Sequence, residues 1–493
     1  MPLEKLVPTK TARLSVLAAG RPLHSLYDPL REAEKFVRGL ALSGRHRYYI
    51  LLECALGYII PLLRESAPQT KIISLHVSDF YVQHAPAGAG ADAVWSPASG
   101  DVFRFLERVI PDTEAAGIKI IEWRPALAAY GEQYARLLNA ACTFIKRVDA
   151  NKRTLAEFGR LWFANTLKNT ARIHSTALPA APAAGPCIVA GAGPHLERDL
   201  AAIRAAAPPA GNALVIAAAS ALPPLLAGGV QPDVVVSTDG GFWAGVHLYQ
   251  YARAFPAGAV SLPPPLAFSL NAALPSALAG HPLFPLAFGL HQSLLLRAAG
   301  APFLPLPSRG TVSATAVDIA LGISRGAVYT SGVDFAVDDI KTHAAGYYFD
   351  ALASARAGRF APEYAARFER SRAVRAGGSL GVYERWFAAF RTDHAGRLVQ
   401  FAESAYACKP APATRQPPLV WQYARPRAVL SPLACVQVLA RAMHDGGAGY
   451  GDALRQELSE LLFAGDGEKD CADVCQAARE AARKIEEKGG RHG

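Results

Sequence analysis

The chain has 493 residues, about half of them hydrophobic, and a formal charge of +10. That length exceeds one ordinary core and predicts two or three domains. The basic balance fits an anionic partner such as a nucleotide or acidic sugar. No run of five or six basic residues marks a nucleic-acid tail, so no nucleic-acid partner is expected.

Residues 1–10 carry Pro and charge where a signal peptide would carry an apolar core, so a cytoplasmic protein is expected. Residues 1–177 read as an N-terminal α/β domain. Tyr48-Tyr49-Ile50-Leu51-Leu52 is a strand, a turn follows near Gly57, and 71–77 is a second strand. Residues 127–175 show apolar positions at helical spacing. Three prolines and a glycine within 178–186 read as a linker. Residues 187–400 read as the central domain, and within it 187–350 alternate short apolar runs with turn signals and helical stretches. Cys187-Ile188-Val189-Ala190, 214–218, Val234-Val235-Val236-Ser237 and 327–330 are strand candidates, which argues for a mainly parallel sheet covered on both faces. The uncharged stretch 254–296 is broken by Pro263, Pro264 and Pro265, so it reads as buried strands and loops and no membrane span is expected. Residues 351–400 are Arg-rich and read as a mobile segment, and 401–493 as a helical C-terminal region. The seven cysteines include no CxxC, which favours reduced thiols over a structural zinc.

Four places carry candidate chemistry. Gly191-Ala192-Gly193-Pro194-His195 follows a strand and opens a helix. Its amides either receive a phosphate or simply make a tight turn. Asp239 falls at the C-terminal end of 234–237, the edge where open α/β sheets bind ligands; otherwise it caps a loop. Ser308-Arg309-Gly310-Thr311 precedes a helix at 312–321, either as an anion site or as ordinary capping. Gly332-Val333-Asp334-Phe335 leads to Lys341-Thr342-His343 and Gly346-Tyr347-Tyr348-Phe349-Asp350, a polar loop after a strand. There is no GK[ST], no Asp-x-Asp and no HExxH, and no metal site is expected.

In order, Gly191-x-Gly193-Pro194, Pro232-Asp233, Ser237-x-Asp239, Ser308-x-Gly310, Gly332-x-Asp334-Phe335 and Thr342-His343-x-x-Gly346 resemble the motility-associated factor (Maf) flagellin glycosyltransferases. Their central domain is MptE-like and similar in fold to bacterial sialyltransferases that use CMP-sialic acid. Leu23-His24-Ser25, Tyr27-Asp28-Pro29 and Glu32-Ala33 resemble the Maf N-terminal domain. Two departures stand out: His195 replaces the usual Ser after GxGP, and Glu53, Ala55, Gly57 and Tyr58 occupy a Gly-x-Gly-x-Gly-Tyr loop.

The resemblance implies a Rossmann-like central domain at 187–400, beside a smaller α/β domain and a helical C-terminal region. It implies a transferase moving a nonulosonic acid of pseudaminic or legionaminic type from a CMP-linked donor to Ser or Thr of flagellin, with no separate cofactor. Gly191, Gly193, Pro194, His195, Ser220, Ser308, Gly310 and Asp334 then bind the nucleotide. His343 serves as base, because an imidazole titrates near neutral pH. Tyr348 stabilises the leaving group, and Asp239 and His394 are reserve bases. Two alternatives remain: a pterin diphosphokinase using Asp334, Asp338 and Asp339 for a metal, or a non-catalytic flagellin-binding protein.

Overall fold

The computed structural model describes residues 4–40, 42, 46–84, 90–110, 117–256, 262–278, 280–376, 379–403, 419–463 and 469–489. The chain forms two compact units that divide between residues 157 and 158.

The first unit opens with an antiparallel meander, β1 (Glu4–Pro8), β2 (Leu14–Ala18) and β3 (Arg21–Pro22). The helix Pro29–Arg38 follows, with proline at its start and Asp28 accepting from the Leu30 and Arg31 amides. A parallel sheet is built from β4 (Tyr48–Leu52), β5 (Lys71–Leu75), β6 (Ala93–Trp95) and β7 (Ile118–Glu122) in the order β6-β5-β4-β7. All five β4 residues are buried, which explains the uninterrupted apolar run seen in the sequence.

The second unit holds a ten-stranded sheet. Its strands are β8 (Thr176–Pro179), β9 (Cys187–Ala190), β10 (Leu214–Ala218), β11 (Val234–Ser237), β12 (Leu266–Ser269), β13 (Leu283–Ala287), β14 (Leu304–Pro305), β15 (Val328–Ser331), β16 (Leu398–Gln400) and β17 (Trp421–Ala424). Their order is β16-β15-β9-β10-β11-β12-β13-β8-β17, with β14 on β13. Every pairing is parallel except β17 on β8. Alternate residues serve opposite faces. Val189, Ile216 and Val236 pack with Val317 of the helix Val312–Ile323, whereas Ile188, Val215 and Ala217 pack with Leu196 and Ile203 of the helix Leu196–Ala206. The strand order reverses between β9 and β15, so the crevice at their C-terminal ends is the expected ligand position in such a sheet.

Two sequence expectations are corrected. The division falls inside the helix Glu132–Thr170, not at 178–186. That proline-rich stretch is part of the sheet: Leu178 pairs with Gln422, and Ala183 bridges Ser324. The segment 351–400 is helical, as Tyr348–Ala355, Glu363–Ala376 and Ser379–Asp393, because its arginines find carboxylates such as Glu363 and Asp350. The expected helical C-terminal region is present as the helices Pro432–Asp445, Gly447–Phe463 and Cys471–Gly489. They bury Cys435, Leu439, Leu454, Leu458, Val474 and Ala478 against Phe163, Phe268, Leu283 and Leu295. Cys408 lies outside the described residues. Among the described residues, no helix is long and apolar enough to cross a membrane.

Candidate functional site at the C-terminal sheet edge

The loops leaving β9 and β15 lock onto each other. The Gly191 amide donates to Ser331 O and the Gly193 amide to Gly332 O, both at 2.8 Å. The His195 amide donates to Asp334 Oδ2 at 2.8 Å, and Asp334 Oδ1 stands 3.2 Å from the same residue's Nδ1. A Cβ on Gly193 would lie 2.7 Å from Gly332 O and 2.8 Å from Asp334 Cγ, inside any normal contact. Gly191 faces the same backbone, and Gly332 has φ +65°. The two glycines therefore serve chain-to-chain packing. Three of the amides expected to cradle a phosphate have protein partners: those of Gly191, Gly193 and His195. Asp334 places a carboxylate beside the start of the helix Leu196–Ala206, where negative charge is favoured. Pro194 is buried in the same turn.

The next loop is tied down over this helix. Glu197 accepts from the Ala345 amide at 2.6 Å and from Lys341 Nζ at 3.1 Å, and the Ala344 amide donates to Ala192 O. These anchors fix His343. Its Nδ1 lies 2.9 Å from Thr342 Oγ1, and its ring stacks on Tyr347 at 3.8 Å and 3°. Burial, then the positive Arg370 and His247, push the His343 imidazole down to about 4. It is neutral at neutral pH but is a much weaker base than its type suggests. Burial pushes the Tyr347 phenol up to about 12. Arg370 pairs with Asp350 and lies over the Tyr347 ring. Tyr348 is the first residue of the helix Tyr348–Ala355 and meets Phe349 edge-on.

The helix Phe242–Ala254, which follows β11, completes the cluster. Its N-cap, Gly241, offers no side-chain cap. Asp239 is exposed and accepts from the Gly241 amide at 2.8 Å, the plain loop-capping role. Ser220 lies in the turn Ala219–Ala221, which packs against this helix. His247, missed in the sequence, stands 5.4 Å from the Tyr347 ring and 5.6 Å from Phe349. Its Nδ1 is buried without a hydrogen-bond partner among the described residues. Burial lowers its pKa, and Asp239 works against that shift. Trp243, four residues earlier and 57% exposed, also meets Phe349. The sequence signal was available: a histidine one turn into a helix that starts at a motif strand.

Other expected residues have different surroundings. Ser308 is exposed, and Gly310 (φ +73°) faces Tyr383. Thr311 caps the helix Val312–Ile323, and Arg309 holds Asp318 at 2.6 and 3.1 Å while lying over Trp386 and Phe390. His394 closes its own helix, with Nδ1 2.9 Å from Phe390 O. Asp338 pairs with Arg198. Among the described residues, no three or more His, Cys, Asp or Glu side chains stand together as a metal site.

In the first unit, Glu53, Ala55 and Gly57 all take left-handed φ, at +43°, +49° and +73°. The loop has kept a glycine-type backbone without two of its glycines. The fully buried Glu53 carboxylate accepts from the Ala55 amide at 3.0 Å and the Val77 amide at 2.7 Å, and lies 3.2 Å from His76 Nδ1. Ser74 Oγ is 3.0 Å from His76 Nε2, yet Ser74 and His76 are buried, so this is a closed polar network.

Residues 164–339 match the family model described as 6-hydroxymethylpterin diphosphokinase MptE-like. The central segment is MptE-like. A protein of Treponema pallidum (strain Nichols), described as uncharacterized, is 31% identical over 149 residues, 29% of this chain. The matched stretch spans 30% of that protein's length. The solved Maf glycosyltransferase from Magnetospirillum magneticum AMB-1 aligns over 98% of this chain and 87% of its own, with 15% identity and a TM-score of 0.46. The MptE-like segment contains β8 to β15, the GxGP loop, Ser220, Asp239 and His247, while His343 and Tyr347 lie just beyond it.

Proposed function

We propose that the protein is a glycosyltransferase that moves a nonulosonic acid from a CMP-linked donor to a Ser or Thr of flagellin. One observation carries this reading: His247, His343, Tyr347 and Arg370 gather, beside open aromatic rings, at the C-terminal edge of an MptE-like parallel sheet. Ligands of such sheets bind at that edge. The sequence resemblance supplies donor and acceptor; the cluster supplies groups suited to the chemistry.

In this reading the bond from the anomeric carbon to the CMP phosphate breaks, and its electron pair goes to the phosphate. The phosphate lies at the start of the helix Phe242–Ala254, which no side chain caps. The starts of Leu196–Ala206 and Leu290–Ala299 are less suited, since Asp334 and Glu457 already occupy them. The acceptor hydroxyl attacks the anomeric carbon and gives its proton to a neutral imidazole.

The test is thermal stabilisation by CMP, CDP, ATP and GTP, each with and without magnesium. Binding to the native state raises the apparent melting temperature. A shift with CMP, followed by transfer to flagellin, supports the reading. A shift with ATP and magnesium alone replaces it with the diphosphokinase, and no shift with any nucleotide favours a flagellin-binding protein.

A further inference from the structure

We infer that His247 is the group that takes the proton from the acceptor hydroxyl, with Trp243 as the neighbouring wall of the acceptor position; this rests on the transferase reading above. The first observation is a vacancy in bonding. His247 Nδ1 is buried and lacks a hydrogen-bond partner among the described residues. Burying an imidazole nitrogen without a partner is unfavourable, and an arriving hydroxyl relieves it. The corresponding atom of His343 is already used, since its Nδ1 meets Thr342 Oγ1 at 2.9 Å.

The second observation is electrostatic. The groups that act on the two rings come from three elements. Asp239 precedes the helix of His247; His343 and Tyr347 come from the loop after β15; Arg370, paired with Asp350, comes from the helix Glu363–Ala376. Burial lowers the proton affinity of both rings; Asp239 partly opposes it at His247, whereas Arg370 adds to it at His343. A base must hold the proton it receives, so His247 is the better placed of the two.

The third observation is access. His247 and Trp243 are four residues apart on one helix and both meet Phe349. The His343 ring is covered by Tyr347 on one face. Trp243 is exposed one turn from half-buried His247 on the same helix, which puts His247 directly behind the surface that an acceptor Ser or Thr would meet. The proton balance closes: the acceptor Oγ–H proton passes to Nδ1, the new C–O bond forms, CMP leaves with the electron pair, and the imidazolium returns its proton to solvent.

The experiment compares wild type, His247→Asn, His247→Gln and His343→Asn, using a CMP-activated nonulosonic acid and flagellin across pH 5–9. Both His247 variants are expected to lose about 10²–10⁴-fold in kcat, with KM and the CMP-induced melting shift near wild type. They should also lose the acid limb of the pH profile, while His343→Asn keeps that limb and falls less than about tenfold. Folding is checked by the melting temperature of the unliganded variants. Wild-type kcat and an intact acid limb in either folded His247 variant overturn the inference. So does transfer of those losses to His343→Asn. A wild-type protein that neither shifts with CMP nor transfers sugar sinks the transferase reading itself, and this role for His247 with it.

Discussion

Replacing Gly193 by alanine separates packing from ligand binding. The new Cβ would stand 2.7 Å from Gly332 O and 2.8 Å from Asp334 Cγ. One contact is backbone and cannot rotate away, so overpacking should cost about 1–3 kcal/mol. Moving Asp334 also weakens its bond to the His195 amide, a charge-assisted contact worth about 1.5–3 kcal/mol. The sum, about 2.5–6 kcal/mol, is a large share of the roughly 5–15 kcal/mol that holds a typical domain together. At about 2–4 °C per kcal/mol, Gly193→Ala should melt roughly 10 °C below wild type without any ligand. The double variant Gly193→Ala, Asp334→Ala removes the side-chain part of the clash. Its loss should be smaller than the sum of the two single losses by roughly 1 kcal/mol or more, as expected for sites in contact. Differential scanning calorimetry of the four proteins supplies the cycle. Should Gly193→Ala melt like wild type while losing nucleotide stabilisation, the glycine exists for a ligand's approach and the packing argument fails.

Other perturbations give separate checks. Glu457→Ala strips the start of the helix Leu290–Ala299 of its acceptor and leaves buried His291 unpaired, so it should lose about 3 kcal/mol in urea denaturation. A loss below about 0.5 kcal/mol would mean that the cap is idle. The lowered His343 pKa makes the unfolded chain bind more protons than the native one between about pH 4 and 6.5. The resulting stability is full above about 6.5 and drains away as the pH falls toward 4. His343→Gln should flatten that slope, and an unchanged slope would show that the ring is not desolvated. Ala55→Gly releases a left-handed alanine, and it should raise the melting temperature by a few degrees or less, consistent with relief of about 0.5–1 kcal/mol. A fall would show that the loop is unstrained.

The sequence displayed its parallel strands clearly where burial on both faces leaves no charged residue, as in Tyr48–Leu52, Leu214–Ala218 and Val234–Ser237. It hid β8 and β17, whose pairing joins Thr176–Pro179 to a segment about 245 residues away; neither strand alone has enough apolar length to stand out. The GxGP turn is legible in the sequence, but its protein partners are not. Local spacing shows that glycine is needed at 191 and 193, but the atoms that require it belong to Gly332 and Asp334. His343 was legible as a residue and not as a base, since its proton affinity depends on Arg370 and on burial. His247 looked like one histidine on an ordinary helix until Tyr347 and Phe349 folded against it.

The docking of the last three helices sets an order of events during synthesis. Phe268, Leu283 and Leu295 reach their final apolar neighbours only when Leu439, Leu458 and Val474 arrive. A growing chain therefore carries an uncovered sheet face for well over a hundred residues of translation, while the first unit has all its strands in hand by residue 122. Holdase chaperones should bind ribosome-held chains stopped near residue 400 and release those extended past residue 489. Truncation before the last helix should yield aggregation rather than a smaller folded protein.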